Sequence, residues 1–269
     1  MDSGWDCTSS GYVTEWLPQF APYDSDLVRE LDVREGDVVL TTAGAEAIAL
    51  ARAVGDSGAV HAVDSRAVMC ALCKERIASA GLAKRASVID AARGPYDVVA
   101  FADADDLGAS LRVARGVLAP NGKVGARAWG PDAETDPERT FARAIEEIAP
   151  RALAPRASRL DVSRAGLTTL FETAGLALVR HTLVSHAIVF PAAARFARSL
   201  LAARAYGPRL AAMGEEKVAA VLARFYERVG GEGAPITYAP TATIVVAGLP
   251  GAELELPHRP SVRIPAVRG

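Results

Sequence analysis

The feature that most constrains this chain is a regular alternation between Val38 and Ala128, where short apolar runs of strand length are separated by stretches of helical length. Val38-Val39-Leu40, Ala59–Val63, Ser87-Val88-Ile89, Tyr96–Phe101 and Lys123–Ala128 read as strands. Ala45–Val54, Arg66–Ala80 and Leu107–Leu118 read as helices between them, and Asp26–Leu31 reads as a short helix ahead of the first strand. Gly55–Gly58, Gly94-Pro95 and Pro120-Asn121-Gly122 mark turns, and Gly81 stands where a helix C-cap would. Strands separated by helices of this length lie parallel, joined by right-handed crossovers, and their apolar character fits a sheet covered on both faces. The expected class is α/β with a doubly wound, mostly parallel sheet.

Beyond Ala128 the pattern changes. Thr135–Ile148 and Ser163–Ala174 read as helices, the second ended by Gly175. Leu176–Phe190 reads as one long strand or a strand with a bend. Pro191–Val229 reads as almost wholly helical, with breaks near Gly207-Pro208 and Gly214, and Thr241–Ala247 as a final strand. Residues 1–25 carry Trp5, Tyr12, Trp16, Phe20 and Tyr23, too apolar for a disordered tail, so short helices packed over something are expected there. Residues 251–269 have no period and are expected to run over the surface.

Composition removes several classes of function. A net charge of −2 argues against a nucleic-acid binder that works by neutralising phosphates. No basic segment followed by an apolar run opens the sequence, and no apolar stretch is long enough to span a bilayer, so neither export nor membrane insertion is expected. Three cysteines in such a chain suggest reduced thiols and a cytoplasmic protein. Cys70-Ala71-Leu72-Cys73 has no second C-x-x-C or histidine pair to complete a zinc set, so it reads as two cysteines on an apolar helix face, and no metal site is expected. Asp103-Ala104-Asp105-Asp106 suits N-capping by Asp105 or Asp106 better than magnesium binding.

Four segments, in order, resemble the class I methyltransferases that use S-adenosylmethionine (SAM), of the ubiquinone/menaquinone-biosynthesis type. They are Glu35-Gly36-Asp37-Val38-Val39-Leu40; Gly58-Ala59-Val60-His61-Ala62-Val63-Asp64; Tyr96-Asp97-Val98-Val99; and Val117-Leu118-Ala119-Pro120-Asn121-Gly122-Lys123-Val124 followed by Trp129-Gly130. The resemblance covers roughly residues 26–250. It implies a seven-stranded Rossmann-like sheet with a helical insert before the last strand. Residues 1–25 would form an aromatic lid, 26–190 with 240–250 the SAM-binding core, 191–239 a helical cap and 251–269 a tail.

In such a fold the ligand sits beyond the carboxyl ends of the strands, where strand order reverses. The resemblance places Thr41, Ala43, Gly44, Ala45, Asp64, Ser65, Asp90, Ala91 and Phe101 around SAM. Asp64 would take the ribose hydroxyls, 20 positions after Gly44, unless it merely caps the helix near Arg66; Asp90 would take the adenine amine, unless it is a solvated loop acid. Tyr12, Trp16, Asp103 and Trp129 are the candidate acceptor contacts. His181 and His186 are candidate general bases; five apart on an ideal strand, they would point to opposite faces.

The first loop departs from the family. Its pattern is an acid, then glycines at alternate positions, but this chain has Thr41-Thr42-Ala43-Gly44-Ala45-Glu46-Ala47. Only Gly44 survives, Thr41 replaces the acid, and the loop is about two residues short. Alanine in a left-handed conformation costs roughly 1 kcal/mol or more, and a lost charge-assisted partner about 1.5–3 kcal/mol. Together these weaken SAM about a hundredfold, unless Glu46 takes over the ammonium. Two functions follow. One is a methyltransferase acting on a small, fairly apolar molecule. The other is a protein that keeps the fold but no longer transfers methyl groups, serving as a cyclase, an isomerase, a ligand binder or a noncatalytic partner. A nicotinamide enzyme fits less well, because the G-x-G-x-x-G turn is missing. A small-molecule partner is expected in either case, and a homodimer is compatible with the sequence.

Overall fold

The computed structural model describes residues 12–102, 106–130, 136–150, 160–201 and 206–254. The strands are β1 Val38–Thr42, β2 Ala59–Val63, β3 Ala86–Val88, β4 Tyr96–Ala102, β5 Leu118–Trp129, β6 Ala177–Ser185, β7 Ile188–Phe190, β8 Ile236–Tyr238 and β9 Thr241–Gly248. Seven of them form one sheet in the order β3-β2-β1-β4-β5-β9-β6. β1 to β5 pair in parallel, whereas β9 runs antiparallel to both β5 and β6. The helices are α1 Leu17–Leu31, α2 Glu46–Ala53, α3 Ala67–Ser79, α4 Leu107–Val117, α5 Pro137–Ile148, α6 Arg164–Thr173, α7 Ala193–Leu201, α8 Gly207–Ala211 and α9 Glu215–Val229. A π-helical turn, Tyr12–Trp16, leads into α1.

Alternation along each strand divides the core. Val39, Val60, Val98 and Val246 face one side, covered by Leu27 and Leu31 of α1, Leu50 of α2 and Ile77 of α3. Leu40, Val99, Val124 and Val245 face the other, covered by Leu111 of α4 and Phe171 of α6. A third cluster is separate from both: Trp16, Phe141 of α5, Phe196 of α7 and Phe225 of α9 pack with Ile188 and Ile236. The pairing of β7 with β8 underlies this cluster.

Three stretches differ from the sequence expectation. Pro120-Asn121-Gly122, expected as a turn ahead of a strand from Lys123, lies within β5, which already starts at Leu118. α1 is one helix across Asp26, starting at Leu17 with Pro18 in its first turn, where proline costs nothing because the N–H there has no intrahelical partner. The run Leu176–Phe190 breaks after Ser185, and its two parts join different sheets. Locally, the Ser185 hydroxyl donates to Ala239 O at 3.0 Å, and the Tyr23 hydroxyl accepts from His186 N–H at 3.0 Å. Those backbone groups are therefore satisfied away from a continuous ladder. The short strand β8 had no clear signal in the sequence.

α1 reaches across the sheet and is held by charge as well as by apolar contact. Asp24 and Arg127 of β5 form an ion pair at 2.6 Å with side chains only 4% and 1% exposed. Glu30, fully buried, accepts from Thr182 at 3.2 Å and lies 3.5 Å from Arg180, both on β6. Asp26 lies 2.6 Å from His186 Nε2 and also pairs with Arg29. Lys123 donates to Asp32 O at 2.9 Å, just past the helix end. Gly125 allows this approach, because a Cβ there would come within 2.6 Å of Leu31.

Breaking a buried pair strands the remaining charge, whereas replacing both members with apolar groups is often neutral. Asp24→Ala is expected to lower unfolding stability by about 3–5 kcal/mol, and Asp24→Leu with Arg127→Met to recover most of that loss. Urea denaturation checks this; a loss below about 1 kcal/mol for Asp24→Ala would mean the pair does not hold α1.

Candidate functional site

β1 to β5 end on one edge of the sheet, at Thr42, Val63, Val88, Ala102 and Trp129. Strand order reverses between β1 and β4, so the ligand crevice of an open α/β sheet falls beside Thr42 and Ala102. The turn after β1 is closed by the chain itself. Glu46, 1% exposed, folds back so that Oε1 accepts from the Thr41 hydroxyl at 3.1 Å and also from the Thr42 hydroxyl. A Cβ on Gly44 would lie 2.1 Å from Glu46 Oε2, so the carboxylate occupies the space that this glycine leaves. Ala43 and Ala45 are buried beside it. Burial, reinforced by the charge of Asp24, pushes the Glu46 carboxyl up to about 7; the Thr42 hydrogen bond and Arg127 pull against this.

Asp64 closes β2 and is gripped by its own loop. Arg66 Nε donates to Oδ1 at 2.7 Å, Arg66 Nη2 to Oδ2 at 2.6 Å, and Arg66 N–H to Oδ1 at 2.9 Å. The Asp64 side chain is 5% exposed. Ser65 beside it is exposed. Asp90 and Ala91 line a different hollow of about 430 Å³ with His61, Arg93 and Tyr96. His61 Nδ1 lies 3.2 Å from the Tyr96 hydroxyl there. Seven residues, 89–95, carry the chain from β3 over β2 and β1 to β4 without a helix, which leaves this stretch of sheet face thinly covered. Phe101 packs into the core beneath α4 and α6.

A cavity of about 260 Å³ opens at the same sheet edge, farther along, where β5 and β9 meet the third apolar cluster. Trp16, Phe20, Trp129 and Tyr238 line it, with Asp136 and Glu138 from the start of α5. Phe20 bridges the two tryptophans, with ring centroids 5.6 Å from Trp16 and 5.2 Å from Trp129. Trp16 Nε1 donates to Ser199 O at 3.1 Å. The Tyr238 hydroxyl donates to Glu138 Oε1 at 3.2 Å, and burial together with that carboxylate holds its pKa above the ordinary phenol value. Behind the rings, the Arg127 guanidinium sits 5.2 Å from Trp129 and 5.6 Å from Phe20.

The proposed acceptor contacts Trp16 and Trp129 therefore share one cavity, while the proposed SAM contacts are spread over the β1 turn, the β2 end, the β3 hollow and the core. Tyr12 opens the π-helical turn, but its side chain lies outside the described residues, as does Asp103. His181 Nε2 lies 3.4 Å from Val162 O, toward α6, and His186 faces Asp26 and Tyr23 on α1. Asp106 caps α4, accepting from Ala109 N–H at 2.8 Å. Cys73 is buried, which pushes its thiol up to about 11, and Cys70 donates to Asp64 O at 3.3 Å. No group of three or more metal-ligating side chains occurs among the described residues.

No family model and no curated protein matches this sequence. Solved structures do match in shape. A protein described as a methyltransferase, from Bacillus halodurans C-125, has a TM-score of 0.54 at 12% identity, over 85% of this chain and 99% of that one. The fold is that of the class I methyltransferases. A protein described as a sarcosine dimethylglycine methyltransferase, from Galdieria sulphuraria, has a TM-score of 0.52 at 15% identity, over 92% and 99% of the two chains. The [4+2]-cyclase SpnF has a TM-score of 0.53 at 15% identity, over 88% and 84%.

Methyltransferases of this fold imply SAM, and the residues here do not fit it as they stand. Both Asp64 oxygens already accept from Arg66, and the turn at Gly44 already holds a carboxylate. Of the groups that do this, Arg66 could have been suspected from sequence, two positions from Asp64. Arg127 was not singled out, although a charge inside an apolar strand is a signal that a buried partner is needed. Phe20, Tyr238, Asp136 and Glu138 carried no signal linking them.

Glu46 provides a test of the closed turn. With its pKa raised from 4.5 to about 7, the folded chain keeps a proton that the unfolded chain has released, so stability falls as pH rises through that window. Glu46→Gln keeps the acceptor oxygen without the charge. It is expected to gain on the parent protein by up to about 3 kcal/mol between about pH 5 and pH 8 in urea unfolding. An identical difference at both pH values would mean that Glu46 does not change protonation in this range.

Proposed function

We propose that this protein uses the methyltransferase fold to hold a small, largely apolar molecule in the cavity beside Trp129, and does not transfer a methyl group from SAM. The carrying observation is the double closure of the nucleoside crevice, by Arg66 on Asp64 and by Glu46 over Gly44. A ligand with a ribose and an aminocarboxylate would meet an Asp64 carboxylate that already accepts three hydrogen bonds from Arg66, of about four it can take, and would have to displace the buried Glu46 carboxylate. The aromatic cavity is separate from both obstructions, and its volume of about 260 Å³, walled by aromatic rings on one side and by Asp136 and Glu138 on another, has room for a small molecule. Fold alone does not dictate methyl transfer, and one protein of this shape is named a cyclase.

Methyl transfer is the second reading. It is favoured by Asp64 standing at the end of β2, next to the switch point. In that reading SAM supplies an electrophilic methyl group, and the chain's role is to align the acceptor and exclude water.

Isothermal titration separates the two. SAM and its demethylated product are expected to give no saturable heat up to millimolar concentration; micromolar affinity would overturn the proposal. Dimethylbutanol, a small neutral probe, is expected to show saturation transfer by NMR in the parent protein. Thr241→Trp, which fills the cavity from its rim, should abolish that signal; an unchanged signal would put the probe elsewhere.

A further inference from the structure

We infer that the hollow beneath the crossover from β3 to β4 takes a small zwitterion, an amino acid with an apolar side chain, at a site distinct from the nucleoside crevice and from the cavity beside Trp129. The hollow follows from a short connection. Parallel strands are ordinarily joined by about a dozen residues or more, usually with a helix that covers the sheet face. Here residues 89–95 pass over β2 and β1 with no helix. The effect on β2 is direct. Val60 and Ala62, which face the helices on the other side, are fully buried, whereas Ala59, His61 and Val63 are only half-buried. The space that remains, about 430 Å³, has Val88 and Ile89 as apolar wall. His61 stands in the middle of β2 and Tyr96 at the start of β4, so the hollow opens on the sheet face and not beside Thr42 and Ala102, where strand order reverses.

The polar groups of this hollow form a directed chain. Arg93 N–H donates to the Tyr96 hydroxyl at 3.4 Å. With the oxygen accepting there, the phenol proton is free for His61 Nδ1, 3.2 Å away. The imidazole then carries its own proton on Nε2, which has no hydrogen bond among the described residues and offers a donor to the hollow. An edge-on contact between the two rings, with centroids 5.7 Å apart, holds His61 in that orientation. Asp90 and Arg93 line the same space. Among the described residues neither side chain makes an ion pair or a hydrogen bond, and they do not pair with each other although only three positions separate them. Opposite charges held apart across one small volume suit a molecule that carries both. Its carboxylate meets Arg93 and the His61 Nε2–H, its ammonium meets Asp90, and its alkyl group lies on Val88 and Ile89. A simple anion meets Asp90 as well as Arg93, and a simple cation meets the reverse, so each gains less than the zwitterion.

Three probes titrated by NMR into the full chain test each charge separately: L-leucine, 4-methylpentanoate, which is leucine without its amine, and 3-methylbutylamine, which is leucine without its carboxylate. L-Leucine is expected to bind about fivefold tighter than either. Arg93→Gln should bring leucine down to the affinity of the amine, and Asp90→Asn down to that of the acid. Both residues are exposed, so the variants are expected to keep native circular dichroism. The ring resonances of His61 and Tyr96 should shift with leucine, and Thr241→Trp, which fills the other cavity, should leave leucine binding unchanged. Equal affinities for the three probes overturn the inference, as does an absence of saturable leucine binding up to tens of millimolar. Tighter binding of the acid or the amine alone, or a leucine preference that survives both Arg93→Gln and Asp90→Asn, also overturns it. None of these outcomes bears on the cavity beside Trp129.

Discussion

The Asp24–Arg127 ion pair is the interaction on which the arrangement of this protein depends. It joins a helix that precedes the sheet to the fifth strand, between partners 103 positions apart in the chain. Both side chains are almost fully buried, so neither is affordable without the other. Once the pair forms, α1 lies across the sheet, and Phe20 and Tyr23, on the same helix, come against Trp129. The preceding turn then carries Trp16 into the third apolar cluster. One buried pair thus sets the position of the aromatic wall and of the helix that covers one sheet face.

The same pair shapes the crevice at the switch point. Asp24 adds to the cost of ionising Glu46, and Arg127 reduces it. A carboxylate in so enclosed a place persists because two threonine hydroxyls donate to it. Asp64 is similarly satisfied by Arg66. The two acids at the crevice thus have their hydrogen bonds met by the chain.

The proposed ligand site lies farther along the sheet edge. The aromatic cavity forms where β5 and β9 end and the third cluster begins. Its rings come from α1, β5, β8 and the turn before α1, elements brought together only by the docking of α1 and by the break after Ser185. The methyltransferase fold supplies the frame, and side chains outside its nucleotide-binding half supply the walls.

How much of this was legible in the sequence follows from the range of each interaction. The strands β1, β2, β4, β5 and β9 and the helices between them were readable, because apolar periodicity and glycine turns are local signals that burial on a two-faced sheet enforces. The loss of the glycine pattern after β1 was equally plain, and Asp64 with Arg66 lies within three residues. The depth of Glu46 was not readable, because its burial depends on α1 arriving from elsewhere. Nor was the split of Leu176–Phe190, since the hydroxyl and carbonyl that hold the bend belong to Tyr23 and Ala239. The sequence by itself determined the class of fold and the erosion of its cofactor loop. Only the tertiary structure decided where the charges are neutralised and where an apolar space remains, because burial energies depend on partners that chain order does not reveal.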